Sequence, residues 1–544
     1  EYQFDEENQF AAYAQTILLN WINQFTFAHL IKNNHDPARA VERIDEGVTP
    51  VAALALFGEI STRCDFFNIF ETVPHSDILP AATWVDLTDY NGFLVENGLA
   101  NIPQEALQSV LENCVNQFRR NVSGLFATPQ KLARILVNAG IIDLTSPAVD
   151  PCCGTGTIVK EILAAKEVTG IETAYASTYA SDKFSFPLQV SNIAMTRANA
   201  MNLPSLLFRE NAFNLHEGQV VPITDPRDGT LLQVTLPRWG SLISNLPFVA
   251  FDQEGREETA LIRAALARVR TESGIALSHR ADLYQALLLH LNGVLADNAS
   301  VAVITSNSWL GTVAGQDFFR ALNFYYKVKC IIASGERKWF DNADVITLML
   351  FLEKNPTPQA PVATHRVNFG LIHKALLEWT EDDMIQIIDS IRLQREVEPD
   401  LLSFQTYSIT QIHDLLGMNI ALNSCFYDVT WLPEIRTRLC PVTDLFIVQR
   451  GMKTAQNEFY YLEDDTVVEP MYVGPVFKSA RSAKRLTAQS DAYAFVCGRT
   501  LEELITLGHT RSIARINRFQ GQLNQSVQHR DTFWMNIADG TFAG

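Results

Sequence analysis

Three short stretches carry residue types suited to binding and reaction chemistry. In "SLISNLPFVAF" (241–251) an apolar, β-rich run is cut by Asn245, Leu246, Pro247 and Phe248. Asn is a poor strand residue and Pro cannot donate to a ladder, so a strand must end there. What it leaves is a side-chain amide, a peptide carbonyl kept extended by the proline after it, and an aromatic ring. In "AVDPCCGTGTIVKEIL" (148–163) a strand ends on Asp150, a turn runs through Cys152, Gly154, Thr155 and Gly156, and a helix follows. Glycines allow the sharp turn and let a ligand approach the backbone. The spacing is not GxGxxG and no Lys-Ser/Thr pair follows, which disfavours dinucleotide and triphosphate loops. In "YASDKFSFPLQ" (179–189) a strand ends on Asp182. A carboxylate there either accepts from ribose hydroxyls, as in nucleoside-binding α/β folds, or caps the next helix.

Positioning these residues requires a sheet. Between about 123 and 355, "PAVDPC", "YASD", "GSLISN", "SVAVITS", "VKCIIAS" and "VITLMLFLEK" read as strands. Helical patterns such as "KLARILVNAG" and "ADLYQALLLHLNGVL" lie between them. This alternation predicts a parallel, doubly wound α/β sheet whose ligands bind beyond the carboxyl ends of the strands. Residues 1–122 read as a helical packing domain, from "FAAYAQTILLNWINQFTFAHLIKNN" to "PQEALQSVLENCVNQFRRNV". Residues 376–435 read as a connecting segment, and the chain from 436 to 544 as a further unit that starts β-like in "VTDLFIVQRGMKTAQNEFYYL" (442–462).

A length of 544 residues predicts two to four domains, and 47% apolar with 19% charged residues is ordinary for a globular core. The net charge of −18 argues against attraction of nucleic acid by the whole surface. The sign reverses locally between Lys478 and Arg530, where nine Lys/Arg face three acids. Lys478, Arg481, Lys484, Arg485, Arg511, Arg515 and Arg518 are candidate phosphate contacts, against the plainer alternative of a solvated face. Eight cysteines are scattered with no CxxC pair, so neither a disulfide framework nor a zinc site is expected. "VITLMLFL" is far too short to span a membrane, and "EYQFDEENQF" has no basic and apolar leader pattern. A cytoplasmic protein with no membrane partner and no metal is the expectation.

In order along the chain, the motifs resemble the gamma-ordered adenine-N6 DNA methyltransferases of the type I and fused restriction–modification kind. "GLFATPQKLARILV" (124–137) is similar to that family's Thr-Pro segment, and "DPCCGTGTI" to its Asp-Pro-x-Cys/Ala-Gly-x-Gly motif. "SNLPF" stands where the family has Asn-Pro-Pro-Tyr/Phe. "ADLYQALLLHLNGVLADNASVAVITSNSWLG" and "ERKWFDNADVITLMLFLEK" resemble its later units. "LNQSVQHRDTFWM" (523–535) resembles a late Arg-x-x-x-Trp element of a target-recognition domain.

The resemblance implies a Rossmann-like methyltransferase sheet at 123–375 that uses S-adenosylmethionine. It also implies an N-terminal helical domain and a mixed α/β target-recognition domain at 436–544. Thr128 and Pro129 would lie over the cofactor's methionine, with Asp150, Cys152, Gly154, Thr155 and Gly156 around its carboxylate and amino end. Asp182 would hold the ribose, and Asn211, where the family commonly has Asp, the adenine. The implied catalytic turn is Asn245, Leu246, Pro247 and Phe248. Asn245 Oδ1 and the Leu246 carbonyl would accept the two amino hydrogens of a flipped adenine, stacked between Phe248 and Phe340. Leu246 replaces the family's Pro, and some loss of rigidity is expected. Cys152 and Cys153 are expected to pack as small apolar residues rather than act as nucleophiles.

The implied activity is site-specific N6 methylation of duplex DNA in a restriction or phage-defence system, with restriction or specificity subunits as partners. No P-loop or nuclease signature is read here, so cleavage or translocation would belong to partner chains or to segments outside this sequence. Two alternatives stay open: a non-catalytic SAM- and DNA-binding subunit, and an RNA or protein-glutamine methyltransferase.

Overall fold

A computed structural model describes residues 6–33, 36–64, 70, 72–98, 128–197, 200, 202–248, 256–278, 281–340, 346–447, 457–464, 466–478 and 490–523. The chain forms two compact units, Glu1–Glu434 and Ile435–Gly544. The expected helix at 103–122 and the Arg-x-x-x-Trp element at 523–535 lie almost wholly outside the described residues, which reach only Leu523 of the latter.

The first unit is built on nine strands. These are β1 (Ala148–Asp150), β2 (Thr178–Asp182), β3 (Leu206–Arg209), β6 (Trp239–Asn245), β7 (Leu295–Ser306), β8 (Tyr326–Ser334), β9 (Thr347–Lys354), β10 (Arg366–Ile372) and β11 (Leu402–Ser408). Their spatial order is β11-β10-β8-β9-β7-β6-β1-β2-β3. All neighbours are parallel except that β9 runs against β7 and β8, and β11 against β10. A separate hairpin, β4 (Val220–Thr224) with β5 (Leu231–Thr235), interrupts the return from β3 to β6. The chain therefore leaves β1 in one direction and comes back to its other side. That reversal opens a crevice at the carboxyl ends of β1 and β6.

Both faces of the sheet are covered, which is why its strands read as continuous apolar runs. Leu242, Val301 and Val303 point into one layer, and Ile243, Ala302 and Ile304 into the other. Helices α4 (Gln130–Gly140) and α5 (Thr157–Lys166) belong to the second layer. Gly140 allows α4 to lie close, because a Cβ there would sit 2.4 Å from Ala302 Cβ and 2.9 Å from Ile243 Cδ1. At the amino edge the buried Lys166 donates to Ser146 O at 2.6 Å and Ser177 O at 3.0 Å. It thus ties the entries to β1 and β2, and burial lowers its ammonium to about 8.

Helices α1 (Glu6–Ile31), α2 (Pro50–Cys64) and α3 (Ala81–Asn97) form the helical front around Trp21, Phe25 and Phe57. This core includes Val190 and Ile193 of α6 (Ser185–Met195), the helix that follows Asp182. Residues 376–435, expected as a connection, instead contribute β11 and the helix Glu381–Leu393 to the sheet unit. The polar "LSFQTYS" of β11 gives little strand signal because it is an edge strand paired on one side.

In the second unit the described parts of the β-like stretch 442–462 form the helical turns Val442–Leu445 and Asn457–Tyr460 and the two-residue strand Tyr461–Leu462, and 448–456 lie outside the described residues. That strand pairs with Ala492–Phe495, which also pairs with Val473–Val476. The helix Thr510–Leu523 packs Ile516 and Phe519 against Phe459 and Phe495.

Gly140→Ala should destabilise the protein by about 1–3 kcal/mol through overpacking. Denaturant unfolding of the full chain measures it, and an unchanged midpoint would show that α4 can retreat from the sheet without penalty.

Candidate active site

The chemistry-bearing stretches converge where the strand order reverses. β1 and β6 are parallel neighbours with Val149 opposite Leu242, so their last residues reach the same edge. There Ser244 Oγ donates to Asp150 Oδ1 at 2.7 Å, and the Cys152 N–H donates to the same oxygen at 3.2 Å. Asp150 is buried, and this raises its carboxyl to about 7; nearby Asp182 adds to the rise, while the bonds from Ser244 and Cys152 oppose it. Ser244 was not singled out from the sequence, although it stands immediately before Asn245.

β2 delivers Asp182 alongside. Its Oδ2 accepts from the Gly154 N–H at 3.1 Å and its Oδ1 from the Phe184 N–H at 2.9 Å. Each oxygen has a second lone pair, so holding the turn does not exclude accepting from a ligand. Gly154 and Gly156 have φ of 52° and 86°, in the left-handed region. A Cβ on Gly156 would lie 2.9 Å from Ser191 Cα, whereas one on Gly154 would meet nothing within 4 Å. The turn is thus pressed against α6 on one side and open on the other. Thr155 is buried within it, and Ser191 Oγ donates to Gly154 O at 2.7 Å. Burial, followed by the Asp150 and Asp182 carboxylates, pushes the Cys152 and Cys153 thiols well above their ordinary range. Neither is poised as a thiolate.

Asn211 follows β3 on the same edge, where its Oδ1 accepts from the Phe213 N–H at 3.1 Å and caps the short helix Ala212–Asn214. Thr128 and Pro129 immediately precede α4, and Thr128 Oγ1 accepts a hydrogen bond from Asn245 Nδ2 at 3.1 Å.

Asn245 closes β6 opposite Ile304 of β7. The Leu246 N–H donates to Ile304 O at 3.2 Å, and the whole residue is 1% exposed, its side chain in the same layer as Leu242. A proline could not make that hydrogen bond. The rigidity expected to be lost with Pro is therefore supplied by one further ladder bond and a core anchor. Phe248 packs toward the opposite layer, with the buried Phe340. Their centroids are 6.2 Å apart and their planes 83° apart. This edge-to-face contact corrects the expected pair of facing rings, since a planar ligand does not fit between perpendicular rings in contact. Phe340 braces the Phe248 ring.

In the second unit Arg515 is not a surface cation. It is 7% exposed, its Nε donates to Phe459 O at 2.8 Å, and its Nη2 donates to Glu458 O at 2.7 Å and Tyr461 O at 3.1 Å. It holds the turn before Tyr461 and is corrected from a DNA contact to a structural residue. Arg511 donates through Nη1 to Thr466 O at 2.9 Å and its side chain is half exposed. Lys478 lies with Nζ 4.3 Å from the centre of the Tyr461 ring, and exposed Arg518 with its guanidinium 5.4 Å from that of Phe519. Arg481, Lys484 and Arg485 are outside the described residues. Among the described residues no helix is long and apolar enough to cross a membrane.

The profile described as N-6 DNA Methylase matches residues 104–414, more than half of the chain. The fold is similar to that of the type IIG restriction endonuclease BpuSI, with 12% identity and a TM-score of 0.51 over 94% of this chain. The match spans 58% of BpuSI's length. A type I restriction-modification methyltransferase subunit from Streptococcus thermophilus aligns with 14% identity and a TM-score of 0.49, over 78% of this chain and 84% of its own. A modification subunit of a putative type I restriction enzyme from Vibrio vulnificus YJ016 gives 13% and 0.46, over 75% and 88%.

Two outcomes follow from these environments. A carboxyl raised from 3.8 to about 7 keeps a proton that the unfolded chain has already lost. Its contribution to stability is complete below pH 3.8 and disappears as pH rises toward 7. Asp150→Asn should flatten the fall in stability between those limits, read by urea unfolding at several pH values; an unaltered slope would reject the assignment. Arg515→Met should destabilise the C-terminal unit by about 2–4 kcal/mol by orphaning the buried Phe459 carbonyl and two part-buried ones. Arg518→Met should stay within about 0.5 kcal/mol, as an exposed substitution does; equal effects in denaturation would contradict the distinction.

Proposed function

The chain belongs to the N-6 DNA methylase family, and from that premise we propose that it transfers a methyl group from S-adenosylmethionine to N6 of adenine in DNA. The observation that carries this reading is the convergence of the Asn245–Phe248 turn with the glycine turn through the Ser244–Asp150 bond. A cofactor site and an amine-binding site belong side by side for direct transfer.

The residues at the crevice suit such a cofactor. The open side of Gly154 admits a ligand to the backbone, and a Cβ on Gly156 would collide with Ser191. Asp150 and Asp182 would accept from the ammonium end and the ribose hydroxyls, and Thr128, Pro129 and Asn211 would complete the site around the methionine and the adenine. When bound, the cofactor supplies an electrophilic methyl group.

The exocyclic nitrogen of adenine is a weak nucleophile because its lone pair is delocalised into the ring. Asn245 Oδ1 and the Leu246 carbonyl accept its two hydrogens, so the nitrogen can pyramidalise and aim its lone pair at the methyl carbon. The bound cofactor would supply its methyl to that lone pair and leave as the neutral thioether, while the nitrogen would release one proton to solvent. This is positioning with electrostatic stabilisation at the transition state. Phe248 stacks on the base, and Phe340 steadies Phe248. Extruding the base costs roughly a few kcal/mol, offset by these contacts.

Within this reading, residues 123–375 are the catalytic domain, 376–435 adds β11 and the helix Glu381–Leu393 to its sheet unit, and 436–544 is the target-recognition domain. Lys478, Arg511 and Arg518 are its phosphate-binding candidates among the described residues. The setting is restriction–modification or phage defence, with specificity or restriction subunits as partners.

Labelled S-adenosylmethionine offered with duplex DNA, RNA and protein is the test. Label should enter duplex DNA as N6-methyladenine. Asn245→Ala should lower the rate by about 10²–10³ while cofactor binding persists. Label in RNA or protein only, or none with the cofactor bound, would favour the competing readings instead.

A further inference from the structure

We infer that Thr128 is a positioning residue for the reaction: its hydroxyl sets which end of the Asn245 amide faces the substrate amine. This rests on the functional reading above.

The sheet fixes the backbone of Asn245 on one side and ahead of it. Asn245 lies opposite Ile304, and the next N–H donates to Ile304 O at 3.2 Å. Neither constraint reaches the terminal torsion. The amide's oxygen and nitrogen ends are nearly equal in size, and rotation about that bond is soft and roughly two-fold. Reversed, the amide would present N–H groups to the N–H groups of an adenine, donor against donor. A specific hydrogen bond must therefore choose the orientation.

Thr128 makes that bond, accepting from Asn245 Nδ2 at 3.1 Å across 117 positions of sequence. Its hydroxyl is delivered rigidly. Thr128 is buried, and Pro129 after it restricts its backbone to extended conformations. Helix α4, which begins at the next residue, is seated on β6 and β7 through Gly140. Nor does the hydroxyl cap that helix: Pro129 is the N-cap residue and no side-chain cap is made. A hydroxyl both donates and accepts, so it holds the amide nitrogen only while its own hydrogen goes elsewhere. An anionic acceptor, such as the carboxylate of an amino-acid cofactor above Thr128, would take that hydrogen and strengthen the choice.

The test compares Thr128→Val, which is isosteric but apolar, with Thr128→Ser, alone and combined with Asn245→Ala. Single-turnover methylation of duplex DNA at saturating S-adenosylmethionine should fall about tenfold to a hundredfold in Thr128→Val. Thr128→Ser should recover most of the rate. Loss of cofactor affinity, read separately by calorimetry, is removed from the rate by saturation, and Thr128→Val should add nothing to the rate loss in the Asn245→Ala background. Neutron diffraction of deuterated crystals, which tells the amide nitrogen from its oxygen, should show the two ends of the Asn245 amide exchanged or mixed in Thr128→Val and retained in Thr128→Ser. A Thr128→Val enzyme that loses only cofactor affinity, or that slows Asn245→Ala by the same factor, overturns the inference. So does an Asn245 amide whose nitrogen keeps its direction in the Thr128→Val neutron structure. Should the wild type methylate no duplex at all, the functional reading fails, and the crystal comparison alone decides the role of Thr128.

Discussion

The parallel pairing of β1 with β6 is the constraint on which the site depends. Two segments almost a hundred residues apart end at one edge because their registers match, with Val149 beside Leu242. The Ser244–Asp150 bond then joins the two loops at 2.7 Å. Everything placed around the crevice is referred to that edge. Asp182 arrives from the strand on the far side of β1, Ile304 from the strand beyond β6, and Thr128 from the helix lying across the sheet.

The site also concentrates groups that a stable interior would avoid. Asp150 is buried beside a second carboxylate, and its proton affinity is raised accordingly. Two residues of the turn hold positive φ, and one of them has room for nothing larger than hydrogen. Such features persist only where surrounding structure over-determines them. Here that structure is concrete: Ser191 of α6 closes on the turn, and α6 is in turn packed into the core of the N-terminal helices. The helical front contributes to the site by holding α6 in place.

Leu246 illustrates how a departure from a familiar pattern is absorbed. A proline there would hold its carbonyl by ring geometry. Leucine holds it by a ladder hydrogen bond and a side chain buried in the layer beneath. Both solutions anchor the residue, by different physics. Arg515 illustrates the reverse. In sequence it belongs to a basic cluster, yet it is buried and its guanidinium donates to three backbone carbonyls. Charge in a sequence does not distinguish an arginine that binds phosphate from one that replaces missing backbone donors.

By itself the sequence determined the element types and their order around the crevice. Strand–turn–helix grammar around Asp150, Asp182 and Asn245 is local, and local rules read it: apolar runs, glycines in turns, a proline that ends a ladder. The sheet class was legible for the same reason. The edge strand β11, the short strand β3 and the β4–β5 hairpin were not, because short or partly exposed strands carry weak periodicity. Tertiary structure alone decided which side chains meet: Ser244 with Asp150, Thr128 with Asn245, Phe340 edge-on to Phe248, and Lys166 across the entries to β1 and β2. These contacts depend on strand register and helix docking. Those are set by the summed packing of distant segments, a quantity that no single stretch of sequence contains.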